Sequence, residues 1–291
     1  MIEGVTVQLA AATESSVIVS LVGDGAVDLT GAWELYGPRC EYGRTLASTF
    51  RGKVLNDKRV EFLVTEPCYW SAAMPFLYEL HRVDAGATNG GVVHTLGLQR
   101  LSAHGVNLRL GGERVVLRGA VAATLDEPAI REAHEAESAI IAIAAKEIPD
   151  LSAASRWGAT VLIDASTFVG DVQQLQQRLS WEPAVAALLH AASDNARTKE
   201  NAFLTGVALP SQQWHDAANT GGAQLIIADL APGERPPASL VALGKPVIAL
   251  RRSPEFASFV EARAACDRLQ AELAPEFNLA GYFTGRVGAS E

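Results

Sequence analysis

The chain has 291 residues, 48% of them hydrophobic and 20% charged, so wholesale disorder is excluded and a core can form without disulfides. Lys and Arg total 24 against 33 Asp and Glu, a net charge of −9 that argues against a nucleic-acid partner or an anionic membrane surface. The length fits one large domain or two modest ones.

The opening, MIEGVTVQLAAATESSVIVSLVGDG, lacks a positive leader and an uninterrupted apolar core, so no signal peptide is expected. No stretch approaches about 20 uncharged apolar residues, so no membrane span is expected and the cytoplasm is the default location. Val5–Leu9 and Val17–Val22 are short runs rich in β-branched residues, separated by polar turns at Thr13–Ser16 and Gly23–Gly25. Val60–Val64 and Leu77–Val83 repeat the pattern, and no helical period precedes about Glu127. Short strands between polar turns predict an antiparallel β-sandwich with one wet face.

Val92–Leu98, Leu108–Leu110 and Arg114–Leu117 continue the β pattern, and Gly111-Gly112 marks a hairpin turn that needs φ > 0. After Gly119 the character changes. Helical runs at Pro128–Ala145, Leu151–Trp157, Val172–Leu179 and Phe256–Leu273 alternate with strands at Thr160–Ile163, Val185–Leu189, Gln224–Ala228 and Pro246–Leu250. Alternation of strand and helix predicts a parallel sheet with crossover connections. The expected division is residues 1–100 as sandwich, 101–113 as a linking hairpin and 114–291 as the α/β region.

Within Glu66–Leu80 the chain reads EPCYWSAAMPFLYEL. This resembles the P-x-L-W-x-x-x-x-P-x-L-Y signature of the immunoglobulin-like domain of family 2 glycoside hydrolases, the beta-galactosidase and beta-glucuronidase group. Pro67, Trp70, Pro75, Leu77 and Tyr78 match. Leu96–Gly119, LGLQRLSAHGVNLRLGGERVVLRG, is similar to the family's link into its barrel, with Gly97, Arg100, Gly112, Leu117, Arg118 and Gly119 matching and Gly111 in place of the usual Asn. As residues alone, Trp70, Pro75 and Tyr78 read as core and turn positions of a sandwich. The resemblance implies an immunoglobulin-like β-sandwich followed by a small (β/α)₈ TIM-type barrel over 114–291. An open doubly wound sheet is the structural alternative for the second half.

The resemblance extends into that half with its chemistry altered. Ile141–Pro149 keeps the second-strand Pro149, but Ala144 stands at the family's Arg and Glu147 at its His. Gly158–Ala165 keeps Asp164, with Ala165 at the family's Glu. In Glu182–Ser193, Pro183 and Val185 match, while the family's Asn and acid/base Glu fall on Ala192 and Ser193. In Lys245–Arg251 the nucleophile position holds Arg251, which the resemblance places at the end of the seventh strand, facing the barrel axis. A retaining glycosidase needs two carboxyls about 5–5.5 Å apart. Serine supplies no suitable acid, and a guanidinium neither attacks nor gives up a proton.

The resemblance therefore implies a glycoside hydrolase-like protein without both catalytic carboxylates, acting in carbohydrate binding or scaffolding, with an acidic sugar as the ligand that an inward Arg251 would favour. The alternative is an active O-glycoside hydrolase with relocated carboxylates: Asp164, Asp194 and Asp229 all sit at or after strand ends, where barrels display functional groups. As residues alone, each reads as a cap on the following helix or turn. The barrel segment of about 178 residues is short of the roughly 200–250 usual for the fold, so short loops are expected. The sandwich pattern opens almost at Met1, so the amino-terminal jelly roll that the resemblance implies is not expected in this sequence.

Other signals are weak. Gly23-Asp24-Gly25 and Gly244-Lys245 lack the rest of a dinucleotide or phosphate-loop motif, and no cofactor is implied. The six histidines show no metal-ligand spacing. Cys40, Cys68 and Cys266 are too far apart for a disulfide framework and read as small buried hydrophobes. Nothing in the sequence sets an oligomeric state.

Overall fold

The structure is a computed structural model that describes residues 2–83, 91–99, 101–144, 146–191, 203–220 and 222–288. Two compact units emerge. The first holds Met1–Arg100 together with Gly170–Pro183, and the second opens at Leu101 and contains most of the remaining chain.

The first unit contains β1 (Val5–Ala10), β2 (Ser16–Gly23), β3 (Ala32–Arg39), β4 (Ser48–Arg51), β5 (Lys53–Asn56), β6 (Arg59–Thr65), β7 (Leu77–Val83) and β8 (Val92–Leu96). They form two antiparallel sheets, ordered β1-β2-β6-β5 and β4-β3-β7-β8. Period-two alternation explains the sandwich. In β6, Val60, Phe62 and Val64 are buried while Glu61 and Leu63 turn outward. They meet Val17, Val19 and Leu21 of β2 and, from the other sheet, Trp33, Leu35, Tyr78 and Leu80. Each such side chain contributes roughly 1.5–3 kcal/mol through burial. The motif aromatics Trp70 and Tyr78 are buried as well, and the Cys68 amide donates to Tyr78 Oη at 3.0 Å. Of the cysteines, Cys266 is buried, whereas Cys40 and Cys68 are only partly so.

The second unit opens with β9 (Leu101–His104), β10 (Asn107–Leu110) and β11 (Glu113–Val115), an antiparallel sheet ordered β11-β10-β9. Its last turn holds Gly111 and Gly112 at φ of 60° and 92°, which explains the paired glycines. Then come β12 (Leu117–Ala122), α1 (Glu127–Glu135), β13 (Ala139–Ile143), α2 (Ser152–Trp157), β14 (Val161–Asp164), α3 (Val172–Leu179) and β15 (Val185–His190). The chain continues through β16 (Leu204–Pro210), a 3-10 segment (Ser211–Asn219), β17 (Leu225–Asp229), α4 (Ala238–Val241), β18 (Val247–Phe256), α5 (Phe259–Leu273) and β19 (Gly281–Val287). Strands β12 to β19 close into a barrel in chain order, every pair parallel. Closure removes the open-sheet alternative.

Several boundaries differ from expectation. The helix expected over Pro128–Ala145 stops at Glu135, and Ala139–Ile143 is a strand buried on both faces, a pattern that period alone does not separate from a buried helix. Helix α5 begins at Phe259 and not at Phe256, because Ser258 caps it by accepting from the Glu261 amide at 3.2 Å. Strands β3, β4, β5, β12, β16 and β19 were not anticipated. Helix α3 groups with the first unit: the Trp181 indole donates to the Val5 carbonyl at 2.8 Å, and the Val7 amide donates to Ser180 Oγ at 3.2 Å.

Inside the barrel, Val121, Ile141, Leu162, Leu189, Leu225, Ile227, Ile248, Leu250 and Phe283 share one core. The intervening residues Val207, Ile226, Ala228, Val247 and Ala249 form an outer layer with Cys266, Leu269 and Leu273 of α5. At the motif position Gly119, a Cβ would lie 2.0 Å from the Ala139 carbonyl oxygen, so only glycine allows β12 and β13 to approach this closely. Among the described residues, no helix is long and apolar enough to cross a membrane.

Candidate functional site at the barrel mouth

Parallel barrels expose functional groups where strands end, and alternation decides which residues face the axis. In β14, Leu162 is in the inner core, so Asp164, two residues on, also faces inward. Strand β17 does the same with Leu225, Ile227 and then Asp229. In β18, Ile248 and Leu250 face inward, so the next axis-facing position is Arg252.

The three side chains meet. Arg252 Nε donates to Asp229 Oδ2 at 2.6 Å, and Arg252 Nη2 lies 3.7 Å from Asp164 Oδ2. Asp164 Oδ1 accepts from the Ser166 hydroxyl at 2.6 Å and the Ser166 amide at 3.2 Å, a local turn that fixes the carboxylate. Exposure grades across the cluster, with side chains 7% exposed at Asp164, 25% at Asp229 and 40% at Arg252. The capping expectation thus describes Asp164 in part, through Ser166. Asp229 is bound to a guanidinium.

Arg251 is a correction. It follows Val247 and Ala249 onto the outer face, where it forms a bidentate pair with Glu272 of α5, at 2.7 and 2.8 Å, and donates to the Glu234 carbonyl at 3.1 Å. The pair holds the Arg251 guanidinium above its ordinary range and the Glu272 carboxyl below its own, in each case chiefly through the side-chain hydrogen bonds. Arg251 therefore faces away from the axis. The neighbouring Arg252, not singled out from the sequence, takes the inward place.

Ala192, Ser193 and Asp194 lie outside the described residues. Ala144 is buried, with its amide bonded to the Asp164 carbonyl at 2.9 Å, and Glu147 is exposed. The Ala165 amide donates to the Leu189 carbonyl at 3.0 Å. Among the described residues, no group of three His, Cys, Asp or Glu is placed to hold a metal ion. Arg252 and Ser166 were legible through two signals, strict alternation along Val247–Arg252 and the Asp-x-Ser turn after β14.

A β-sandwich followed by a closed parallel barrel with polar groups at its mouth is the architecture of family 2 glycosidases, and structural comparison places the chain in that fold. It is similar to the β-D-glucuronidase of Dictyoglomus thermophilum, with a TM-score of 0.60 at 10% identity over 97% of this chain and 61% of that one. It is similar to a glycosyl hydrolase family 2 member from Bacteroides cellulosilyticus, at 0.62 and 14% identity over 98% and 45%. A third is the Bifidobacterium dentium β-glucuronidase complexed with coumarin-3-O-glucuronide, at 0.59 and 9% identity over 96% and 59%. The chain thus spans between 45% and 61% of the length of these proteins. No sequence-family model matches the chain, and no curated protein does.

Proposed function

We propose that this chain is a glycoside hydrolase-like protein that lacks the family's catalytic carboxylate pair and serves in carbohydrate binding or scaffolding, in the cytoplasm. The observation that carries this reading is Arg252, which occupies the mouth paired with Asp164 and Asp229, the axis-facing carboxylates among the described residues. Glycoside cleavage builds positive charge on the sugar ring, and a fixed guanidinium opposes it: two like charges 4 Å apart repel by about 4 kcal/mol at an effective dielectric of 20. Asp229 already spends its oxygen on a 2.6 Å bond to that cation. Asp and Arg side chains at a barrel mouth suit sugar hydroxyls, which donate to one and accept from the other. The acidic-sugar preference loses its basis, since Arg251 is paired with Glu272 on the outer face.

One observation favours the second reading, an active hydrolase with relocated carboxylates: Asp164 and Asp229 reach the same guanidinium, so their carboxyls are near neighbours. Hydrolysis assays separate the two. With aryl β-galactosides, β-glucuronides and β-mannosides from pH 4 to 9, we expect no rate above buffer. Turnover that disappears in Asp164→Asn or Asp229→Asn would instead establish the relocated pair.

A further inference from the structure

We propose that a cleft at the barrel end opposite the mouth binds the phosphate group of a small organic phosphate monoester, with Tyr282 and Arg114 as its principal donors. The cleft, about 350 Å³, lies where β12 and β19 begin, beside the end of α5 and the connection that follows it. That volume is at the lower end of the range for small-molecule sites. Val116, Phe277 and Leu279 give it an apolar wall, in the same hydrophobic layer as the Tyr282 ring. Tyr282 lines the cleft and is only 2% exposed, yet its hydroxyl has no hydrogen-bond partner among the described residues. A phenol so shielded is unfavourable until something supplies an acceptor. Burial holds it above its ordinary range, so it stays a donor, while Arg114 and Arg118 lie close enough to act on it in the opposite sense.

The polar neighbours have donors to spare and acceptors already in use. Arg114 Nη2 donates to Asn278 Oδ1 at 2.6 Å, and Arg118 Nε donates to Gln270 Oε1 at 2.8 Å. A guanidinium only donates, so each amide turns its oxygen to the arginine and keeps its NH₂ group for another acceptor. Asn278 and Gln270 both line the cleft. Arg118 has Asp267 at 3.5 Å, whereas no carboxylate pairs with Arg114 among the described residues. Glu276 also lines the cleft, and its carboxylate is held by Arg235. At the end of α5, the Gln270 carbonyl accepts from the Ala274 amide at 2.8 Å, and the Leu273 carbonyl from the Glu276 and Phe277 amides at 3.1 and 3.0 Å. Donors are thus left on β11, on α5, on the connection after it and on β19. A carboxylate has two oxygens, which one guanidinium fork can fill, but a phosphate ester has three that take donors from several sides.

The test is calorimetric titration of the whole chain with phenyl phosphate at about pH 7.5, beside inorganic phosphate and benzoate. Phenyl phosphate should occupy one site per chain and bind at least tenfold more tightly than either of the others. Tyr282→Phe, which keeps the ring, should weaken it about tenfold, and Arg114→Gln by more. Arg252→Gln at the mouth should leave its affinity as it was. Melting curves establish that each variant is folded, and if Arg114→Gln is not, Tyr282→Phe decides alone. No binding of phenyl phosphate, or an affinity that Tyr282→Phe leaves unchanged, overturns the inference. Benzoate binding as tightly overturns the choice of phosphate, and inorganic phosphate matching the ester overturns the role of the apolar wall. Binding lost in Arg252→Gln would put the anion at the mouth and overturn the site.

Discussion

His94 and the Arg251–Glu272 pair show how placement of single groups sets acid sensitivity. Burial pulls His94 down to about 4, and its ring stands edge-on to Trp181 at 4.8 Å. A histidine depressed in the folded state contributes stability that is complete above its unfolded value of about 6.5 and disappears as the pH falls towards 4. Denaturant unfolding between pH 7 and 4 should show a loss of up to about 3 kcal/mol from this proton alone, and His94→Phe should flatten that part of the curve. Glu272 acts in the same direction at lower pH: its depressed carboxyl stabilises the fold above the ordinary glutamate range and ceases to as it is protonated. Glu272→Gln should cost about 1 kcal/mol at pH 7 and nothing at pH 2. At this scale the sequence misled by one residue. Ungapped matching put the key cation at Arg251, but a strand turns consecutive side chains to opposite faces, so the mouth received Arg252.

Among the elements, strands and helices bounded by turn or capping residues were the legible ones. Leu77–Val83 and Val172–Leu179 have the extents that their patterns imply. AIIAI at 139–143 was absorbed into a helix because apolar residues on every side carry no period, and β19 hid behind glycines whose backbone the sheet needs close. The grouping of α3 with the sandwich was not readable at all, since it depends on Trp181 finding the Val5 carbonyl 176 residues away. That anchor is testable. Trp181→Ala should destabilise the first unit by about 3–5 kcal/mol in denaturant titrations, and Trp181→Phe by less, with the Val5 carbonyl losing its donor. A loss under 1 kcal/mol for the alanine variant would show that the segment is held by other contacts.

For the whole molecule, the resemblance carried the architecture because the motif residues are structural: Trp70 and Tyr78 fill the sandwich, and Gly119 lets two barrel strands meet. Chemistry was less legible, since it depends on which way a side chain faces once the barrel has closed. That closure also has a timetable. Strand β12 is flanked by β13, available almost at once, and by β19, which begins at Gly281. At about 5–20 residues per second, a ribosome needs on the order of 10–30 s to deliver the second neighbour. Throughout that interval one edge of β12 is an unpaired template for other strands. A force-sensing arrest peptide placed after successive lengths of the chain should therefore report barrel formation only once β19 has left the exit tunnel, and nascent chains stopped before it should associate with chaperones or with each other. A folding signal before β19 emerges would mean that a partial barrel is stable by itself.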